Sequence, residues 1–341
     1  MLAASVNPAT HNRILPRIAW FAVFYNVLVI LWGALVRASG SGAGCGNHWP
    51  LCNGQVIPVS PGFHTVIEFT HRQMTVGSTL VVIALLVWTF RATVKGHAAR
   101  GFAIASMLLL LNEALLGALL VKLGYVTGNQ SSGRMVLLSI HLSNTLLLVA
   151  ALTLTARFLS TGQRWAGLHR ALGFGWGGAG LAATIGVGVS GSMAALGDTL
   201  FPAVSLRAAY AQDFAASSPW LLRLRLVHPI SALVAALFVI WLIGRSRQIG
   251  QHEAAPGEPD RQKITRARLA GLVLGLLGLQ FALGIADVLL LAPAWMQLLH
   301  LLGAELYWVA LVLLAAETIW PTGTLALSGT PTPSPVTTTV A

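Results

Sequence analysis

Apolar residues in this chain come in long unbroken runs, not at alternate positions or on one helical face. Eight runs of about twenty residues, at 17–37, 68–90, 101–122, 135–158, 170–191, 220–243, 267–290 and 295–318, carry few charges. A helix needs roughly 20 such residues to cross the hydrocarbon core of a bilayer. Each run therefore predicts one spanning helix, the form in which an isolated segment satisfies its own backbone without water. The pattern predicts an all-α integral membrane protein with eight transmembrane helices. The first run does not read as a cleavable signal, because a polar lead precedes it and no small-residue cleavage site follows.

The polar stretches divide the chain further. Residues 1–16 predict a cytoplasmic tail, and 321–341, rich in Pro and Thr, a disordered cytoplasmic one. The stretch "RQIGQHEAAPGEPDRQK" between the sixth and seventh runs predicts a flexible linker.

Composition agrees with this picture. Charged residues make up 9% of the chain, against about 25% in soluble domains. The net charge of +11 would suit a nucleic-acid binder, but its placement points elsewhere. If the spans alternate, fourteen Lys and Arg fall on one side and seven on the other. The positive-inside rule then puts both termini in the cytoplasm of a cell (inner) membrane, with the bilayer as partner and no nucleic acid. The loop 38–66 becomes external. It holds both cysteines, Cys45 and Cys52, in a compartment where thiols tend to be oxidised.

The runs also repeat. "EFTHRQMTVGSTL" in the second aligns with "RLVHPISALVAAL" in the sixth on His71 and His228. "SIHLSNTLLLVAAL" in the fourth aligns with "LLHLLGAELYWVAL" in the eighth on His141 and His300. "EALLG" and "QFALG" pair the third with the seventh, and "GALVRASGSG" and "GVGVSGSMAA" the first with the fifth. Four spans is an even number, so the halves share an orientation. The expected architecture is two tandem, pseudo-twofold-related four-helix bundles, 17–160 and 161–320.

Every even-numbered span thus carries one histidine near its external end, and no odd-numbered span carries any. A single intramembrane histidine is usually a packed, hydrogen-bonded residue. Four at matched depth suit paired axial ligation of iron, one bis-histidine haem per half. A bare divalent ion fits less well, since each pair lacks the third and fourth ligands such ions take. Arg37, Arg72, Arg134 and Arg225 lie at the level of haem propionates, or snorkel to the interface. The halves differ three residues before their first histidine, with Glu68 in one and Arg225 in the other. A carboxylate beside one porphyrin rim can stabilise developing positive charge or move a proton. Otherwise Glu68 is an acid of a first helical turn, favoured by the helix dipole.

These residues resemble a known family. "GALVRASGSGAGCGNHWPLCNGQ", "IEFTHR", "HLSN", the two later histidines and "DTLFP" at 198–202, in the expected external loop after the fifth span, are similar to heme A synthase across all eight spans. The resemblance implies oxidation of the C8 methyl of heme O to a formyl group, by successive hydroxylations with water as oxygen source, to make heme A for terminal oxidases. It implies that His71 and His141 hold the substrate haem and that His228 and His300 ligate a cofactor haem b. Glu68 becomes the catalytic acid, and Cys45 and Cys52 match a pair carried by some members. The implied partners are heme O, a heme O synthase and an electron acceptor such as a quinone or redox protein, with homo-oligomerisation left open. The chain departs from the family at His48, where relatives often carry an acid, and at Glu113, where Gln is more usual. It also lacks a second external cysteine pair found in some relatives.

A b-type electron-transfer cytochrome would also use four histidines, but gives Glu68 no role. A transporter with parallel repeats would line a path with them. A disulfide-handling oxidoreductase would require a further cysteine pair. The loop cysteines themselves admit a staple forming a lid over the N-terminal haem site, or a redox pair. A structural zinc site falls short, because His48 would supply only a third ligand.

Overall fold

The computed structural model describes residues 14–162, 171–252 and 260–320. The regular structure of the described residues is helical, with turns and loops between and one isolated bridge between Cys52 and Gln55. In order, the elements are α1 (Ile14–Ala38), α2 (Phe63–Ala92), α3 (Ala98–Lys122), α4 (Ser132–Thr161) and α5 (Ala171–Leu200). There follow α6 (Leu206–Phe214), α7 (Trp220–Arg223), a 3-10 turn (Leu224–Leu226), α8 (Val227–His252), α9 (Asp260–Leu289) and α10 (Ala294–Ile319). Among the described residues eight helical segments are long and apolar enough to cross a membrane, so the chain is a multi-pass membrane protein.

Local chemistry sets several boundaries. Ser131 caps α4 by accepting the Arg134 N–H, and Gly162 ends that helix at φ +67°, where a side chain would be strained. The His97 ring accepts the Ala99 N–H at the start of α3. Pro229 has no N–H to give the carbonyl of Arg225, and the sixth span accordingly breaks into α7, a 3-10 turn and α8 where the second span is one continuous helix.

Three sequence expectations change. Helix α5 continues to Leu200, so "DTLFP" begins inside the helix, not in a loop. The linker predicted over 247–263 is helical up to His252 and from Asp260, and the rest of it lies outside the described residues. Helix α2 begins at Phe63, so Glu68 stands in its second turn, where the dipole reading of the acid loses its basis. The predicted tails fall outside the described residues, except that 14–16 already belong to α1.

Within the first four helices α1 packs on α2 and α4, and α3 on α2 and α4. In the rest of the chain α5 packs on α8 and α10, and α9 mainly on α10. Helices α1, α4, α5 and α10 form the seam between the two sets. One buried cluster gathers Leu15, Ala19, Leu85, Leu152 and Phe158, and a second Leu146, Val239, Val273, Trp308 and Val312. The Trp308 indole N–H crosses the seam to the Leu146 carbonyl at 2.8 Å, so its one polar atom is paired. Large residues such as Phe24, Leu80, Leu108 and Val234 face outward, as lipid-facing positions do.

Candidate haem-binding site

The loop between α1 and α2, residues 39–62, is built onto the start of α2. Cys45 and Cys52 form a disulfide and are both buried. The Cys45 backbone N–H donates to Glu68 Oε2 at 2.8 Å, and Arg72 donates to Glu68 Oε1 at 2.5 Å. Arg72 also donates to the carbonyls of His48 and Leu51 at 2.8 and 2.7 Å. Gly44 lies so close to the backbone of His64 that a Cβ there would collide with the His64 carbonyl oxygen. Thr65 Oγ1 donates to the Gly44 carbonyl at 2.7 Å. Loop, acid and arginine thus form one hydrogen-bonded unit, with Glu68 only 4% exposed.

His71 lies one helical turn beyond Glu68. Its ring packs on Gly33 of α1, where a Cβ would stand 3.0 Å from Cε1, and its Nδ1 is buried without a hydrogen-bond partner. Both His141 and Glu113 lie within electrostatic reach of it. His141 Nδ1 is 2.9 Å from Glu113 Oε1, so a carboxylate from α3 meets the ring on α4.

The second set of helices repeats part of this. A Cβ at Gly191 of α5 would stand 3.0 Å from His228 Cε1, and one at Gly284 of α9 would stand 3.3 Å from His300 Cε1. Packing therefore pairs Gly33 with Gly191, five residues beyond the Gly186 that motif alignment pairs with it. His228 Nδ1 is 3.2 Å from Ser190 Oγ, which leaves Nε2 as the nitrogen able to ligate. The His228 and His300 ring centroids are 6.3 Å apart. Two axial imidazoles on one iron, with bonds of about 2 Å and roughly 1.1 Å from nitrogen to ring centre, stand about 6.2 Å apart. The separation fits a planar iron cofactor held between α8 and α10. Among the described residues no group of three or more His, Cys, Asp or Glu is placed to hold a bare ion.

The four arginines differ in what they touch. Arg37 of α1 reaches across the seam to the Ala195 carbonyl at 2.7 Å, Thr199 Oγ1 at 2.8 Å and Gln297 Oε1 at 2.9 Å. Arg225 lies 3.0 Å from Asp198 and 3.5 Å from Asp213, and donates to the carbonyls of Gly197 and Phe201. Burial pushes the Asp213 carboxyl above its ordinary value, and nearby Arg225 opposes that shift. Arg72 is committed to the loop. Arg134 gives one bond to the Asn129 carbonyl, while its buried Nε has no hydrogen-bond partner.

Sequence reasoning did not anticipate the Glu113–His141 contact or the role of Ser190. The exchange of Glu113 for Gln280 between "EALLG" and "QFALG" was the available signal for the first.

Comparison with known proteins gives the family. Over 311 residues, 88% of this chain and 48% of the relative, the chain is 42% identical to a Thermus thermophilus protein named Protoheme IX farnesyltransferase. It is 33% identical over 151 residues to Heme A synthase of Exiguobacterium sp. (AT1b), covering 43% of this chain and 48% of that one. To Heme A synthase of Shouchella clausii it is 37% identical over 131 residues, 38% of this chain and 41% of that one. The chain spans about half the length of the curated relatives it matches. The COX15-CtaA model, described as cytochrome oxidase assembly protein, matches residues 16–312. With that match running through all the histidine-bearing helices, the chain belongs to the COX15-CtaA family of cytochrome oxidase assembly proteins.

Proposed function

We propose that this chain is a membrane oxidoreductase of the heme A synthase type, oxidising the C8 methyl of heme O to a formyl group. Methyl plus one water gives formyl, four protons and four electrons, the electrons leaving to a membrane quinone or a redox protein. The observation that carries this reading is the asymmetry at one helical position. A buried carboxylate, Glu68, precedes His71 by three residues, and Arg225 stands in the matching place before His228.

In this proposal His71 and His141 hold the substrate by its iron, which leaves the porphyrin edge open to chemistry. Glu68, its carboxylate fixed by the Cys45 N–H and by Arg72, stabilises positive charge developing at the methyl carbon and takes up a released proton. Arg134, whose buried Nε is unpaired, is assigned to a propionate. A haem b bound by His228 and His300 supplies one-electron redox chemistry. The two halves are related by a pseudo-twofold axis along the membrane normal. Both termini face the cytoplasm and both haem sites lie toward the external side, a placement that the charge distribution supports. The relative named Protoheme IX farnesyltransferase supports a farnesylated haem as the substrate class, and an enzyme of that activity as its source.

One observation favours a plain b-type electron-transfer cytochrome. Both Glu68 oxygens already accept hydrogen bonds from the protein, as a structural carboxylate would. The two readings separate when the full chain is expressed in a host lacking heme A, with and without a heme O source, and the bound haems are extracted. Heme A appearing only with both present supports the oxidase. Extracts holding only haem b and unconverted heme O would favour the cytochrome.

A further inference from the structure

We propose that Glu113 is a positioning residue for His141, fixing its tautomer and making it a stronger electron donor to the iron it ligates than any other histidine of the set. The proposal rests on the reading of His141 as an axial ligand of the N-terminal haem.

Glu113 sits inside α3, where an ionisable side chain is costly unless it is partnered. Its partners are complete. Asn144 Nδ2 donates to Oε2 at 2.5 Å, the Thr145 hydroxyl donates to Oε1, and His141 Nδ1 lies 2.9 Å from Oε1. The network is itself braced, because Asn112 donates to Asn144 Oδ1 at 2.8 Å and Asn144 donates to the Leu109 carbonyl at 2.9 Å. Donors converge on both oxygens, the pattern of an acceptor-only carboxylate. The 2.9 Å contact is at hydrogen-bond distance but is not aligned as one, since His141 Nδ1 is buried without a hydrogen-bond partner. A small turn of the ring lets such a group take the Nδ1 proton, leave Nε2 for iron, and raise the basicity of the ring.

The other three histidines have no such partner. Among the described residues no carboxylate stands at ion-pair distance from His71, His228 or His300. His71 Nδ1 is unpaired, and His228 Nδ1 meets the neutral Ser190. Gln280, which takes Glu113's place in the repeat, is best satisfied with its amide turned so that it donates to the His300 carbonyl at 3.2 Å and accepts from the Ala304 N–H at 3.0 Å, which spends it on the backbone. The chemical consequence is directional. A more basic axial imidazole stabilises ferric iron, so the N-terminal haem acquires a lower reduction potential than it would have with a neutral partner. That ordering favours electrons leaving the substrate half for the other.

The test is a redox titration of the purified full chain with haem bound, followed optically and repeated with His300→Ala to isolate the N-terminal signal. Glu113→Gln should keep its haem and shift the midpoint potential upward. Thr145→Val, which removes one donor from Glu113 and leaves it a stronger acceptor toward His141, should shift the potential downward. If Glu113→Gln does not fold, Thr145→Val carries the test alone. Haem retained with the potential unmoved in the folded variants would overturn the proposal. A full haem complement in His141→Ala would instead overturn the ligation reading beneath it.

Discussion

The backbone N–H of Cys45 donates to Glu68 Oε2 across 2.8 Å, joining the disulfide-closed loop between α1 and α2 to the acid one turn before His71. A side chain of Cys45 is not what meets Glu68. The bridge acts on the acid through the backbone it holds in place, because Cys45 and Cys52 close a loop whose Asn53 N–H returns to the Cys45 carbonyl at 3.0 Å. Arg72 completes the unit by binding both the loop carbonyls and the carboxylate.

Opening the bridge therefore loosens both the loop and the acid. Closing a loop of this length in the unfolded chain contributes about 2–3 kcal/mol on the chain-entropy account. Cys45→Ser/Cys52→Ser is expected to lower the thermal midpoint in detergent and reduce heme A yield, while His228 and His300 keep their haem. Melting curves and haem stoichiometry check this. Unchanged stability with stalled turnover would identify the pair as a redox relay instead.

Glu68→Gln tests the acid with little change of shape. A glutamine can still accept from the Cys45 N–H, but its amide N–H₂ would face the Arg72 guanidinium, and the negative charge is gone. If the carboxylate stabilises charge at the methyl carbon, heme A formation should fall by about 10²-fold or more, with bound haem retained. Full activity in an in-membrane conversion assay would leave Glu68 a loop anchor only.

Gly33 and Gly191 give a selective test of the two histidine sites. A Cβ at either would stand 3.0 Å from a histidine Cε1, tighter than an unstrained contact, so the ring must turn or shift. Gly33→Val should displace His71 and weaken haem retention in the N-terminal half only. Gly191→Val should displace His228 and reduce haem b. Haem counted per chain, with spectra of each variant, reads the outcome. Equal loss from both halves in either variant would show that the glycines govern folding, not the individual sites.

Much of the fold was legible because lipid removes the ambiguity of short apolar runs. About twenty predominantly apolar residues with few charges favour one structure, a spanning helix, and the eight runs became eight spans. Their ends were less legible. The run that marks α2 begins at residue 68, but the helix starts at Phe63 just after Pro61 and Gly62, and that displacement changed the environment of Glu68. The histidines announced themselves through the repeat. The groups that orient them did not, because Glu113 reaches His141 from another helix and Ser190 reaches His228 across 38 residues. Backbone donors such as the Cys45 N–H carry no sequence signal. Arg37 was legible as a cation at the end of the first run, but its bonds to Ala195, Thr199 and Gln297 depend on how α1 meets α5 and α10.

The seam that Arg37 ties at one end is tied at the other by a buried ion pair. Arg157 of α4 lies 2.9 Å from Glu317 of α10 and also donates to the Trp320 carbonyl at 2.8 Å, with both charged residues under 10% exposed. Removing one member deprives the other of this buried counter-charge, which typically costs about 3–5 kcal/mol, whereas removing both costs much less. Arg157→Ala and Glu317→Ala should each lower the thermal midpoint sharply, and the double variant should recover part of the loss. A double-variant cycle in detergent, read by intrinsic tryptophan fluorescence, measures the coupling. Losses that simply add would mean that the seam is held by the apolar contacts around Leu146 and Trp308, and that the pair contributes little of its own.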